Sequence, residues 1–310
     1  MTPFPVRIGV DEIGTETQKC DGFTFFCLPE AHVHDFTQDT QNILKAAGLD
    51  GFHGKQFRPK HAKAYQDFLA LAFNYMRKLP QSFAACRLFT PVVKAELGAF
   101  CDRVTAGAIG KSLGAGHASI PIIQPYFLPL ACLAVLSREL APDVQMHVEM
   151  DSHTSLKDLN QAVHQVAGVP IEAATLLKGL YNGYAKGLHP RTPLLPDDGV
   201  IVLEDEASAL IQAADVIGNF AVAHIFVRLG MATTGRAAKA KIIEAVAGDE
   251  INAFDPTGKI AVSGQDLVLG TDGSVTFRVA WVITKPPKDT ALIKDWPQDD
   301  GFVGKSKVQP

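Results

Sequence analysis

The sequence predicts an α/β protein: a mixed sheet flanked by helices, with a small α+β addition at the carboxyl terminus. Three stretches carry that reading. Val144 to Asp151 alternates strictly, with Val144, Met146, Val148 and Met150 on one face and Gln145, His147, Glu149 and Asp151 on the other, as a strand requires. Val200-Ile201-Val202-Leu203 is apolar throughout, as expected of a strand covered on both faces. From Leu210 to Ala223 almost every position is apolar, which marks a helix buried on all sides.

The remaining elements follow in order. Val6, Ile8 and Val10 share one face of a first strand that closes at Asp11, and Glu12-Ile13-Gly14-Thr15 breaks it. Phe23 to Leu28 is an aromatic second strand, expected to pair with the first as a meander. Pro59 stands where a first-turn proline is tolerated. Behind it Tyr65, Phe68, Leu69, Ala72, Phe73 and Met76 recur at helical spacing. Ser82 to Phe89 reads as a strand; Val92 to Leu113, Ile122 to Leu140 and Leu156 to Val166 read as helices. Gly187 to Gly199 holds three prolines and reads as a loop. The helix that follows Leu203 is expected to end near Arg228. After Gly230 a short helix around Ala237 to Ala247 precedes a hairpin turned at Asp272-Gly273 and a loose tail from Lys285. Residues 1–229 are therefore read as one domain and residues 230–310 as the addition.

Composition excludes several classes. Of 310 residues 47% are hydrophobic and 20% charged, ample for a packed core and incompatible with wholesale disorder. Glycine and proline are scattered without period, which excludes a collagen-like fibre. A net charge of −4 excludes a blanket nucleic-acid binder, while local binding through a few basic side chains or bridging metal ions is still open. The five cysteines form no C-x-x-C pair, and the odd count reads as reduced, mostly buried thiols of a cytoplasmic protein. The amino terminus has no basic-then-apolar leader pattern. The apolar window Ile120 to Leu136 is broken by Pro121, Gln124, Pro125 and Pro129 and falls short of the ~20 residues of a membrane span.

The informative residues are polar ones set inside apolar elements. Ser208, Gln212, Asp215 and Asn219 follow at steps of four, three and four and line one stripe of the buried helix. A buried, unpartnered carboxylate costs several kcal/mol, so Asp215 needs a cation, a hydrogen-bond cage or a solvent-filled cleft. Asp151 ends its strand where sites of open α/β sheets gather, and Asp11 ends the first strand in the same way. Glu12 points to the opposite face from Asp11 while the strand lasts. Glu149 and His147 share the polar face with Asp151, and a solvated face is their plain alternative. Three such carboxylates suit hard divalent cations, Mg²⁺ or Mn²⁺. Paired ions about 4 Å apart activate water and stabilise the leaving oxygen of a phosphodiester.

His53-Gly54-Lys55-Gln56, with Arg58 and Lys60 nearby, sets a proton carrier and cations where they can meet a phosphate. Its alternative is an ordinary basic helix-entry loop. Other motifs are weaker. Gly107-Ala108-Ile109-Gly110-Lys111-Ser112 has Thr105 where a phosphate loop needs its first glycine. His32-Val33-His34-Asp35 lacks a completing pair for zinc. No G-x-S-x-G elbow accompanies Ser152-His153. Glu204-Asp205-Glu206 is first explained by the dipole of the helix it precedes, with ligation by Asp205 the lesser alternative.

Four motifs in order resemble one family. Val10-Asp11-Glu12-Ile13-Gly14 resembles the D-E-S-G opening of the domain of unknown function 3800 family. Phe52-His53-Gly54-Lys55 resembles its histidine motif, Val148-Glu149-Met150-Asp151 its second acidic strand, and Gln212-Ala213-Ala214-Asp215, preceded by Ser208, its late Q-x-A-D helix. The likeness runs from about residue 6 to 229, with Ile13 at the usual serine position. That family is regarded as similar to the ribonuclease H-like fold. The resemblance thus implies a ribonuclease H-like mixed sheet, with Asp11 on the first strand, Asp151 on the fourth and Asp215 on a late helix binding two Mg²⁺ ions.

The functional expectation is a divalent-metal-dependent nuclease or phosphodiesterase acting on nucleic acid, DNA or RNA unresolved. Asp11, Asp151, Asp215 and His53 are its catalytic candidates; Glu12, Glu149, Lys55, Ser208 and Gln212 are secondary. The alternative is a non-catalytic scaffold of the same fold that binds a protein or nucleic-acid partner. A hydrolase of a small phosphorylated molecule would use the same acids.

Overall fold

A computed structural model of the chain describes residues 4–14, 21–89, 120–137, 144–152, 162–166, 169–188, 192–228, 232–247, 267–269 and 275–279. Strand β1 (Phe4–Gly14) pairs antiparallel with β2 (Asp21–Pro29), and β2 antiparallel with β3 (Phe83–Phe89). On its other side β1 pairs in parallel with β4 (Val144–Asp151), and β4 in parallel with β7 (Val200–Leu203). The order across the sheet is β7-β4-β1-β2-β3. Beyond β3 the sheet continues into β9 (Val275–Val279) and β8 (Leu267–Leu269), which pair antiparallel with each other on either side of residues 270–274. A three-stranded meander joined edge to edge with two parallel strands is the ribonuclease H-like mixed sheet expected from the sequence.

Both faces of the central strands are covered, since Val6, Ile8 and Val10 are buried on one side and Gly9 and Glu149 on the other. The helices are α1 (Glu30–Ala47), α2 (Ala62–Lys78), α3 (Ile120–Ser137), α4 (Ala173–Leu188), α5 (Ala209–Arg228) and α6 (Thr234–Ala247). Helix α5 lies on β1 and β2, with α1, α2 and α6 packed around it, while α3 packs on α4. The predicted stripe of α2, from Tyr65 to Met76, is its buried face. Phe52 stacks on Phe68 of that face, with ring centroids 4.2 Å apart.

Two glycines set how close α5 comes to the sheet. A Cβ on Gly9 would stand 2.2 Å from the backbone carbonyl carbon of Leu210, so β1 and α5 meet backbone to backbone there. Farther along, a Cβ on Gly218 would stand 2.1 Å from Thr24 Oγ1 and 2.8 Å from Ile13 Cδ1.

The structure corrects the sequence reading in several places. Residues 162–166, expected at the end of a helix, form strand β5 (Ala162–Val166), paired antiparallel with β6 (Val169–Glu172). Val163, Val166 and Val169 favour extended backbone, and a partner strand lies just downstream to take it. Helices α1 and α4 were not anticipated, and α1 carries His32-Val33-His34-Asp35 in its first turns. The expected helix 92–113 and the tail from Lys285 lie outside the described residues. Cys27, Cys86 and Cys132 are buried and not in a disulfide. Among the described residues no helix is long and apolar enough to cross a membrane.

Candidate functional site: a carboxylate cluster at the end of the parallel strands

Parallel pairing puts the carboxyl ends of β1, β4 and β7 at one edge. Val10 is in register with Met150, and Asp151 with Leu203, so the parallel pairing ends where Asp11, Asp151 and the Glu204-Asp205-Glu206 turn lie side by side. Contrary to the expectation from sequence, β1 does not break after Asp11 but runs on to Gly14, because β2 continues to pair with it. The Ser152 N–H donates to the Leu203 carbonyl at 2.8 Å and extends that pairing one step. Helix α5 then brings Asp215 over the same edge, beside the Asp11 carboxyl.

This crowding shows in the acids' titration. Burial is the largest influence pushing the Asp11 carboxyl well above the usual carboxylate range; the charges of Asp215 and Asp151 push the same way, and Lys55 opposes them. Asp151 is pushed up to about 6, first by burial and then by Asp205, Glu204 and Asp215, against the opposing Ser152 N–H. The three acids expected from sequence therefore sense one another.

The polar stripe of α5 holds the surrounding chain. Asp215 Oδ2 accepts the Gly54 N–H at 2.7 Å, and its Oδ1 accepts the Asn219 amide. Gln212 Oε1 accepts the Phe52 N–H at 2.9 Å, while its Nε2 donates to the carbonyls of Asp205 and Glu206, each at 3.3 Å. A Cβ on Gly54 would collide with Asn219, so the histidine loop lies directly on the helix. Ser208 Oγ accepts the Ile211 N–H at 3.1 Å, an N-terminal cap, and donates to Glu149.

Glu149 is engaged elsewhere. Only 4% exposed, it accepts from Ser208 and from Arg7 Nη1 at 3.0 Å, and Arg7 also binds Glu30. It braces β1, β4, α1 and the start of α5. His147 is buried, with Nδ1 4.0 Å from exposed Asp198. Glu12 is exposed within β1, and Lys55 is exposed beside the acids.

His53 sits on the other flank. Its Nδ1 is 2.9 Å from Asp205 Oδ2, and its Nε2 is 3.7 Å from Glu206 Oε1. Tyr65 fixes the loop by donating to the His53 carbonyl at 2.9 Å. Ligating atoms of His53, Asp205 and Glu206 all lie within 4.8 Å of one another, a spacing that can hold a metal ion. Sequence reasoning undervalued Asp205 and Glu206 by assigning them to the helix dipole. The available signal was an acidic triplet directly after a strand expected to lie beside the one ending in Asp151.

A cleft of ≈ 290 Å³ opens at the strand ends, lined by Asp11, Glu12, Asp151 and Ser152 and walled by Pro125, Tyr126 and Pro129 of α3. The polar side chains of this opening are oxygen donors, while the His53–Asp205 pair and Lys55 lie outside its lining.

No family model matches the chain, and no curated protein matches it. Among solved structures it is similar to the crystal structure of a mutant protein of Bst-RNase HIII. The likeness has a TM-score of 0.35 and 12% identity, and covers 83% of this chain and 68% of the other. The fold assignment rests on the strand order and directions described above.

Proposed function

We propose that the chain is a divalent-metal-dependent nuclease or phosphodiesterase, with Asp11, Asp151 and Asp215 as the metal ligands and Mg²⁺ or Mn²⁺ as the metal. One observation carries the reading: carboxyl groups of β1, β4 and α5 stand near enough to repel one another, and burial together with that repulsion raises two of them. A site that resists its own negative charge as protein alone is relieved by a dication, and oxygen donors select a hard one. The resemblance to the domain of unknown function 3800 family points the same way.

Bound dications would polarise a phosphoryl oxygen and lower the pKa of a bound water. The chain's own groups do the rest. Lys55 binds a phosphate oxygen. Gly54 and Asn219 fix both oxygens of Asp215, and Gln212 keeps the histidine loop on α5. Asp205 orients the His53 ring, which carries a proton to or from the reacting oxygens. Water adds to phosphorus, the P–O bond to the leaving oxygen breaks, and that oxygen takes up a proton. Ile13, at the position of the family's serine, is buried against Gly218 and fills a packing role.

Purified protein with Mn²⁺ should cleave a DNA or RNA oligonucleotide and gain thermal stability, and Asp151→Asn should lose both effects. Absence of cleavage on every such substrate, with metal binding unchanged in Asp151→Asn, overturns the proposal.

A further inference from the structure

A second groove of ≈ 500 Å³ runs between α5 and α6 and the histidine loop, with Lys55, Phe57, Asn219, Phe226, Arg236 and Lys239 among its lining. Three of these are cations, and among the described residues no carboxylate belongs to the lining. That is local enrichment in a chain whose net charge is −4. Arg236 and Lys239 sit one turn apart on α6 and so share a face. Ring faces help to hold them: the Arg236 guanidinium lies 4.9 Å from the Phe226 centroid, and Lys239 Nζ 5.8 Å from that of Phe220.

Two residues of the groove's lining also act on the acid cluster. Lys55 lines it and also acts on Asp11, and Asn219 lines it and also donates to Asp215. A track of positive charge thus leads to the acids that would hold metal.

We infer that this groove binds the phosphodiester backbone of a nucleic-acid strand, with Lys55, Arg236 and Lys239 on successive phosphates. The inference rests on the nuclease reading only for the phosphate that reaches the acids. A single small phosphorylated molecule would not need cations spread along a groove that leads away from the acid cluster. Backbone contacts of this kind release counterions, so affinity should fall steeply with salt.

The test uses the full chain in EDTA, where no cleavage is required, and labelled single-stranded DNA and RNA oligonucleotides titrated at several NaCl concentrations. The double variant Arg236→Gln/Lys239→Gln should bind at least about tenfold more weakly, and its slope of log K against log salt should shrink by about 1.4, two phosphates at about 0.7 each. Arg236→Lys should keep the slope, because it keeps the charge. Lys241→Gln, an exposed change elsewhere on α6, should leave it alone. Equal slopes for wild type and the double variant, an equal loss in Lys241→Gln, or equally tight binding of polyglutamate overturns the inference. Thermal stabilisation by Mn²⁺ is read on the same proteins. If it is absent from wild type while the groove variants behave as stated, the metal reading falls and the groove stands; the reverse pattern separates them the other way.

Discussion

The Asp11 carboxyl stands beside that of Asp215, and burial together with the charges of Asp215 and Asp151 pushes it well above the usual carboxylate range. Protonation and a dication are alternative ways of neutralising the same pair, so each should exclude the other.

Asp11→Asn keeps a hydrogen-bond donor toward Asp215 and removes the crowded charge. Without divalent ions it should raise the unfolding free energy at pH 7 by about 1–2 kcal/mol, the usual gain when a strained functional site is relieved. It should also abolish the stabilisation that millimolar Mn²⁺ gives the wild type, about 2.7 kcal/mol at a hundredfold excess over Kd. Urea titrations with and without Mn²⁺ read both effects. A destabilised variant that still responds to Mn²⁺ would count against crowding of these carboxyl groups.

The carboxyl of Asp151, ordinarily near 3.8, is raised to about 6 in the native protein. Between those values the native state holds a proton that the unfolded chain has lost. Its contribution to stability is therefore complete below about pH 4 and disappears as pH rises through about 6. Measured in EDTA, Asp151→Asn should gain on wild type between pH 4.5 and pH 7.5. The expected gain is about 1–2 kcal/mol, discounted for the group's solvent contact. A difference that stays flat across that range contradicts the raised value.

Arg7→Met isolates the other buried acid. Its side chain is 31% exposed, whereas that of the Glu149 it binds is only 6% exposed, and truncation leaves that carboxylate without its cation. The cost should be about 3–5 kcal/mol at neutral pH. The double variant Arg7→Met/Glu149→Gln should recover much of it, and both proteins should keep the wild-type response to Mn²⁺ at temperatures where they are folded. Loss of that response in the double variant would move Glu149 into the metal site.

Gly9→Ala places a methyl group where the backbone of Leu210 already lies. Since backbone on both sides must move, the expected loss is about 3 kcal/mol or more, at the upper end of overpacking costs. Gly48→Ala adds nothing that clashes, but the φ of 63° should make it mildly unfavourable. Chemical denaturation of both variants gives the ranking. If Gly9→Ala proves the milder, α5 does not touch β1 as closely as described.

Gln212→Ala removes the acceptor of the buried Phe52 N–H, which should cost about 1–3 kcal/mol. The effect should be local first. Amide exchange should quicken at residues 52–54, and Mn²⁺ affinity should weaken although no proposed ligand has been changed. Unaltered exchange in that loop would mean that Gln212 does not clamp it.

Much of this was legible in the sequence because the signals were local. The alternation of β4, the apolar run of β7 and the all-round apolar α5 each report a face that must be buried. Asp11 and Asp151 stood out as acids closing apolar strands, and Asp215 as an acid inside an apolar helix. Sequence set Glu149 second to Asp151 only because Asp151 ends the strand whose face both share, and left a solvated face as its alternative. What separates them is Arg7, which reaches Glu149 because β1 pairs in parallel with β4. The His53–Asp205 contact was hidden for the same reason, because it exists only once α5 and its entry turn have docked beside the histidine loop. The strand at 162–166 was mistaken for helix because its partner, not its own pattern, decides its conformation.

Helix α5 meets Glu149 through Ser208, Phe52 through Gln212, and Gly54 through Asp215. All three of these partners precede it in the chain. During translation they emerge from the ribosome before the segment that gathers them, and a nascent polypeptide halted short of residue 209 lacks Asp215, the third acid of the cluster. The order of synthesis thus works as a timer that withholds the finished centre until the last of its parts has been made.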